Sequence, residues 1–234
     1  MTGSTWLIKD ERVNPYSFYS EVFVYYLIWG FIYNIVCKLE QKYNLFKRLP
    51  TEKHIEARTR IVSSINAIIL ISTSVCYYFN YIEYVDWFKM VPSSSGYALF
   101  DITIVTLNYK VFKKYYFALS LHHFMIIVAP LLITQENSRI ILYAYMFETT
   151  VPILDASWYL YNAKLTKTLL FNTNIVLALP VFFIFRVVSN SYILYVVHKG
   201  NIMITLFTLQ FLFLNVYWFK CLIQTALKVK SKSK

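Results

Sequence analysis

The 234-residue sequence has few cysteines, glycines and charged residues. Its 3 cysteines, Cys37, Cys76 and Cys221, are far apart and form no C-x-x-C pair, which argues against a disulfide framework, a thiol redox motif and a cysteine metal cage. With only 4 glycines the chain contains no P-loop, G-x-S-x-G or H-E-x-x-H motif, so nucleotide hydrolysis and the common hydrolase and zinc-protease chemistries lack support. Charged residues make up 15% of the chain and hydrophobic residues 58%, which is the composition of an integral membrane protein.

Apolar runs bounded by charged residues or by Pro, Ser and Asn predict transmembrane helices. They lie near residues 18–37, 61–79, 96–112, 115–134, 139–161, 168–189 and 202–222. Only Lys110, Lys113 and Lys114 separate the third run from the fourth, and we predict two helices joined by a tight hairpin, since one long helix would bury these lysines. The predicted fold class is therefore all-α: a polytopic membrane protein of about seven transmembrane helices around a central polar or lipid cavity.

The distribution of positive charge predicts the orientation of these helices. The net charge is +11, which in a soluble chain would suggest nucleic acid, yet 17 of the 23 Lys and Arg residues follow the first, third, fifth and seventh runs. Cytoplasmic loops carry such an excess. We therefore predict a short non-cytoplasmic tail (1–17), a first helix (18–37), a basic cytoplasmic loop (38–60), a six-helix membrane domain (61–222) and a basic cytoplasmic tail (223–234), with no nucleic-acid partner.

Polar residues inside the predicted spans are the candidate functional groups, because such residues are costly in lipid and usually face a cavity or the bundle interior. Four of them lie about 8 to 12 Å inside the cytoplasmic ends of their spans, and two lie about 16 to 20 Å inside. We take His122 and His123 as candidate catalytic residues, and Asn66, Asp101, Glu148, Asp155 and Asn215 as cavity-lining, lipid-binding residues. This clustering predicts a polar cavity open toward the cytoplasmic leaflet.

The tandem histidines suggest acid–base chemistry. Adjacent helical side chains point about 100° apart, so one imidazole would act and the other orient. A neutral imidazole beside a carboxylate can remove a proton from an amine or hydroxyl. The alternatives are hydrogen-bonded packing histidines, protonated carboxyls joining helices, and a single metal ion held by both histidines and carboxylates; we expect no metal.

Arg186 and three tryptophans near span ends have simple structural interpretations. Arg186 lies near the lumenal end of the sixth predicted span, where its side chain would extend to the headgroups. Trp29, Trp158 and Trp218 lie near span ends and predict an aromatic belt at the membrane interface.

Five stretches between Arg60 and Trp218 resemble, in order and spacing, the TLC-domain family of polytopic membrane proteins, which includes ceramide synthases and TRAM-type translocon proteins. They are R-I-V-S-S-I-N-A at Arg60–Ala67, G-Y-A-L-F-D at Gly96–Asp101, L-H-H at Leu121–His123, E-T-T-V-P-I-L-D-A-S-W at Glu148–Trp158 and N-V-Y-W-F at Asn215–Phe219. The resemblance implies a ring of helices around a lipid-accessible cavity. It also implies that His122 and His123 are a catalytic pair for acyl transfer from acyl-CoA, with Asp101 as a cavity carboxylate and no bound cofactor.

The pattern is similar to the non-synthase branch of that family. Residues 147–151 read F-E-T-T-V where ceramide synthases have the second half of their motif, His-Asp followed three residues later by Asp. Asn66 stands where many members have His, and Asp155 where many have Asn. The expected function is lipid metabolism or homeostasis by histidine-dependent acyl transfer to a lipid amine or hydroxyl. The alternatives are a non-catalytic lipid-binding sensor or scaffold, and a proton-coupled transporter.

The C-terminal residues K-S-K-S-K at 230–234 have lysines at the third and fifth positions from the end. This spacing resembles a cytosolic dilysine signal for retrieval to the endoplasmic reticulum, and a basic end that touches anionic headgroups is the alternative. We therefore expect an endoplasmic reticulum protein with a lumenal N-terminus, a cytosolic C-terminus and membrane lipids as partners; homodimerisation is left open.

Overall fold

The computed structural model describes residues 15–83, 89–132, 138–199 and 202–232, and every regular element within these ranges is helical. Most of the predicted N-terminal tail and the last two residues of the predicted basic tail lie outside the described residues. The α-helices of more than one turn are α1 (Pro15–Tyr43), α2 (His54–Tyr78), α3 (Met90–Leu107), α4 (Tyr116–Leu132), α5 (Ser138–Met146), α6 (Thr150–Asn162), α7 (Leu169–Phe182), α8 (Ser189–Val197) and α9 (Ile202–Lys232).

Shorter elements join some of these helices into longer segments. A 3₁₀ turn at Phe147–Thr149 joins α5 to α6, and a π-helical segment at Phe183–Val188 joins α7 to α8. A one-turn helix at Tyr109–Phe112 separates α3 from α4, which pack against each other. Two separate helices, and not one long helix, are therefore present at this point, while their spanning of the membrane stays a prediction.

Four helical segments within the described ranges are long and apolar enough to cross a membrane: Ser17–Tyr43, Thr51–Tyr78, Leu169–Val197 and Ile202–Leu227. Large apolar side chains also cover the outside of the described part of the chain, with Phe117 78% and Leu169 81% exposed. Exposing so many apolar groups to water is unfavourable, whereas lipid solvates them. The protein is therefore all-helical and integral to a membrane, and the count of seven spans stays a prediction.

Six of the helices form a closed cycle of contacts, which we call the helix ring. In order around the ring, α2 packs on α3, α3 on α4, α4 on α9, α9 on α7, α7 on α6, and α6 on α2. The first helix, α1, lies outside the ring and packs on α3 and α2. This arrangement gives the polar residues of the ring helices a common inner side.

The contact between α1 and α3 depends on small residues. Ser93, Ser94 and Ser95 are buried, and a Cβ on Gly96 would lie 2.6 Å from the Tyr25 Cβ and 2.8 Å from the Val22 carbonyl oxygen. The three serines were expected to precede the third span, but α3 begins at Met90 and includes them. Small side chains let helices approach closely in lipid, so they form an interface here.

Part of the predicted basic loop is helical as well. The first helix continues to Tyr43 and α2 begins at His54, and the two are linked by the buried carboxylate of Glu40. That carboxylate lies 2.9 Å from the His54 Nδ1 and accepts a hydrogen bond of 3.0 Å from the Arg58 Nε. At the other end of the chain α9 extends through Lys232, so most of the predicted basic tail continues a helix.

Candidate functional site

Two of the predicted site residues, on neighbouring ring helices, lie close together. Asp101 on α3 and His123 on α4 are both buried, and the His123 Nδ1 lies 3.4 Å from the Asp101 Oδ2. This is an ion-pair distance without hydrogen-bond geometry, since the His123 Nδ1 makes no hydrogen bond in the described part of the chain. The Tyr97 ring packs edge-on against the imidazole, with 5.9 Å between ring centroids. The Asp101 carboxylate is therefore positioned to orient the His123 ring.

His122 faces different neighbours. Its ring packs edge-on against Phe211 and Trp218 on α9, at centroid distances of 5.6 and 5.3 Å. The two imidazoles are 5.3 Å apart with a 50° angle between their planes. The His122 Nδ1 is buried and makes no hydrogen bond to any described residue. The divergence expected of adjacent helical side chains is thus present: His123 meets a carboxylate, and His122 meets an aromatic wall.

Arg186 lies on the π-helical segment between α7 and α8, and it is buried, with 5% of its surface exposed. The apolar segment that contains it continues to Val197, eleven residues further on, so Arg186 lies about 16 Å from that end. The expectation of an arginine extending to the headgroups was wrong because the helix does not end at residue 189. π-helical segments of this kind often occur at functional sites.

The 3₁₀ turn between α5 and α6 holds the Arg186 guanidinium. The Arg186 Nε donates to the Phe147 carbonyl oxygen at 3.2 Å and to the Thr150 Oγ1 at 2.7 Å, and the Arg186 Nη2 lies 3.8 Å from the Glu148 Oε1. The rings of Phe182 and Trp218 lie 5.7 and 5.9 Å from its central carbon. Glu148 therefore pairs with Arg186 and not with either histidine.

These contacts connect into a continuous path, which we call the interior polar chain. It runs across the helix ring through Asp101, His123, His122, Trp218, Arg186 and Glu148. Its members come from α3, α4, α9, the π-helical segment and the 3₁₀ turn. The sequence predicted four of these residues as site residues, and the structure adds Arg186 and Trp218. The Trp218 ring lies between His122 and Arg186 and is not part of an outward-facing belt.

Three buried asparagines have polar atoms without a partner among the described residues. They are the Asn66 Oδ1 on α2, the Asn190 Nδ2 on α8 and the Asn215 Nδ2 on α9. Asn66 and Asn215 were predicted as site residues, whereas Asn190 was missed because it follows the predicted end of the sixth span. An asparagine followed by seven residues of Ser, Tyr and apolar side chains is the signal that could have identified it.

Asp155 belongs to a separate network between α2 and α6. Its carboxylate accepts hydrogen bonds from the Arg60 Nη1 at 2.7 Å and the Ser64 Oγ at 2.8 Å. The Arg60 Nη2 also donates to the Glu56 Oε1 at 3.0 Å, and its guanidinium carbon lies 4.7 Å from the Trp158 ring centroid. The structure therefore places Asp155 in an ion pair that joins two ring helices, and it makes no contact with the histidine pair.

The chemistry available at the site is that of an imidazole and a carboxylate. Within the described ranges no group of three or more His, Cys, Asp and Glu side chains is arranged to hold a metal ion. Comparison of the chain with protein-family models, curated proteins and solved structures gives no significant match. The resemblance to the TLC-domain family accordingly rests on the sequence motifs, and the function has to be argued from the site.

Proposed function

We propose that the protein is a TLC-type membrane protein of the endoplasmic reticulum that transfers an acyl group from acyl-CoA to the amine or hydroxyl of a membrane lipid. The observation that carries the proposal is the buried His123 and Asp101 pair, 3.4 Å apart, with His122 beside it inside a ring of helices. A general base needs an imidazole within reach of its substrate and a partner that orients the ring. Asp101 supplies that partner from the neighbouring helix.

In the proposed step His123 is the base and Asp101 orients it. A proton on the Nδ1, facing the carboxylate, leaves the Nε2 lone pair free to accept a proton from the lipid amine or hydroxyl. The nitrogen or oxygen of the lipid then bonds to the thioester carbonyl carbon, and the carbon–sulfur bond breaks. The departing CoA thiolate takes the proton from the imidazolium, so that the products are the acylated lipid and free CoA. His122 lies beside His123 and packs against Trp218 and Phe211.

We further propose seven spans with a lumenal N-terminus and a cytosolic C-terminus. The charge asymmetry supports this orientation, since 17 of 23 Lys and Arg residues fall on one side of the predicted map. Acyl-CoA is made in the cytosol and would enter from that side. Four of the seven predicted intervals coincide with the segments that are long and apolar enough to cross a membrane.

Lipid analysis of matched cells tests the acyl-transfer proposal. Cells would express the wild type, the variant His122→Ala/His123→Ala, the variant His198→Ala or no protein, at equal protein levels. His198 is exposed and bonded to its own helix, so it controls for the loss of a histidine as such. We expect one lipid class to rise with the wild type and with His198→Ala, and to stay at the level of empty cells with the double variant.

The second candidate is a lipid-binding sensor or scaffold without catalysis. The specific observation in its favour is the stretch Phe147–Val151, which lacks the second His-Asp group of the synthases and instead holds Arg186 through Thr150. On this proposal the double histidine variant shifts lipids as much as the wild type does. That result would end the acyl-transfer proposal.

A further inference from the structure

Among the described residues, the terminal nitrogens of Arg186 have no hydrogen-bond acceptor. Only its Nε donates hydrogen bonds, and the single carboxylate nearby, that of Glu148, lies 3.8 Å from the Nη2. Within the described residues the N–H groups of Nη1 and Nη2 are thus free to pair with a further acceptor. A charged side chain inside the apolar part of a membrane is costly unless its charge and its donors are matched. The Arg186 guanidinium therefore has N–H donors available for an additional anionic group.

Further donors lie on the same side of the neighbouring helices. Asn190 is four residues after Arg186, about one helical turn along the same face. On α9, Asn215 is three residues before Trp218, and the Trp218 ring lies 5.9 Å from the guanidinium carbon. Each is only 1% exposed, and the Nδ2 of each has no acceptor in the described part of the chain. Buried amide groups are normally bonded. A ligand that supplies oxygen acceptors would satisfy them.

We infer that Arg186 is the anchor of a binding site for the carboxylate of a long-chain fatty acid. A carboxylate matches the planar fork of a guanidinium with two parallel hydrogen bonds. Arg186 is also the only fixed positive charge of the interior polar chain, and Glu148 already lies beside it. A singly charged carboxylate adds less negative charge there than a phosphate group does. The site is distinct from the proposed catalytic pair, because the Trp218 ring separates Arg186 from His122.

The occupant is a lipid because of where the site lies. Arg186 is about 16 Å from the end of an apolar segment, and the rings of Phe182 and Trp218 flank its guanidinium. A carboxylate that reaches this depth needs an apolar tail that remains in the surrounding hydrocarbon. A fatty acid combines both parts, and its function here is binding, without any bond formed or broken.

Binding of radiolabelled oleate to the full-length protein in lipid nanodiscs tests the inference, with empty nanodiscs as the blank. We expect Arg186→Gln to weaken oleate binding about tenfold or more, as the loss of a charge-assisted pair would. Glu148→Gln is expected to strengthen it, because the carboxylate that competes for Arg186 is removed. Arg48→Gln, a change at an exposed arginine, is the matched control and should leave binding unchanged.

Several results would overturn the inference. They are unchanged oleate binding in Arg186→Gln, weaker or unchanged binding in Glu148→Gln, and displacement by the neutral oleyl alcohol as effective as by unlabelled oleate. Stronger displacement by 1-oleoyl lysophosphatidate than by unlabelled oleate would show that the site binds a phosphate group and not a carboxylate. The Glu148→Gln arm decides the matter if Arg186→Gln does not fold. Oleate binding is measured without any acyl transfer, so failure of the acyl-transfer proposal in the lipid analysis would leave this inference standing, and the reverse also holds.

Discussion

The His123 Nδ1 on α4 and the Asp101 Oδ2 on α3 lie 3.4 Å apart, at one end of the interior polar chain that crosses the helix ring. Neither group has another charged partner as close, because Asp155 is paired with Arg60 and Glu148 with Arg186. Three carboxylates in the membrane domain are thus assigned to three different basic groups. Among the described residues of the ring helices, only the pair with His123 joins a carboxylate to an imidazole.

The first prediction concerns this pair. If Asp101 acts by orienting His123, then Asp101→Asn and His123→Ala each lower the amount of acylated lipid, and the double variant is no worse than His123→Ala. A double-mutant cycle on product formation in membranes, at equal protein levels, measures this coupling. Independent, multiplying losses would show that the two groups act separately. His54→Ala, at the contact between α1 and α2, is the control for a histidine that also lies near a carboxylate.

The close approach of α1 to α3 gives the second prediction. Gly96→Ala places a Cβ 2.6 Å from the Tyr25 Cβ and 2.8 Å from the Val22 carbonyl oxygen, so backbone must move. We expect a loss of about 1–3 kcal/mol in the free energy of unfolding. Gly30→Ala on α1 is the matched control, because its Cβ would have no atom within 4 Å. Thermal unfolding of the purified protein in detergent compares the two, and equal melting temperatures would contradict the packing described.

The third prediction concerns the ion pair between α2 and α6. Asp155→Ala removes the acceptor of the Arg60 Nη1 and the Ser64 Oγ, and we expect it to cost about 2–3 kcal/mol because it leaves a largely buried arginine poorly paired. Arg60→Met combined with Asp155→Leu should cost less than Asp155→Ala alone. Lys167→Ala, at an exposed position, should change stability by no more than about 0.5 kcal/mol. Thermal unfolding measures all three, and a double variant that is no more stable than Asp155→Ala would argue against the pairing.

Topology mapping tests the span count. Seven spans place the two termini on opposite sides of the membrane, whereas the four most apolar segments alone would place them on the same side. We expect a glycosylation tag added at the N-terminus to be glycosylated, and a C-terminal epitope to be digested by protease in sealed microsomes. Both tags on one side would require an even number of spans.

The positions of the helices could be predicted from the sequence, but several of their ends could not. Apolar runs can be identified from the sequence alone, and each predicted run overlaps a helical segment. The serines before Gly96 are turn formers in water, which is why they were assigned to a connection. Within lipid the same small residues let α1 and α3 pack closely. Their role depends on the partner helix, which lies about 70 residues away along the chain, and no local pattern records it.

The site could be predicted in part for a similar reason. His122, His123 and Asp101 stand out as polar residues inside apolar runs. The role of Arg186 depends on the carbonyl oxygen of Phe147 and the hydroxyl of Thr150, about 36 to 39 residues earlier in the chain. Asp155 likewise depends on Arg60, which the sequence placed in a loop. The roles of these residues are therefore determined by side-chain pairing between helices, which hydropathy along the sequence does not record.

The closure of the helix ring by α9 has a consequence for biosynthesis. The chain is made from its N-terminus, and α9, which contacts both α4 and α7, is the last of the ring helices to leave the ribosome. Until then the ring is open, and His122 and Arg186 lack the Trp218 ring that α9 supplies. The earlier helices then form an open arc in which these groups are uncovered on the side that α9 will occupy. Premature release before α9 is inserted would yield a species recognised by quality control, even though every earlier helix is intact.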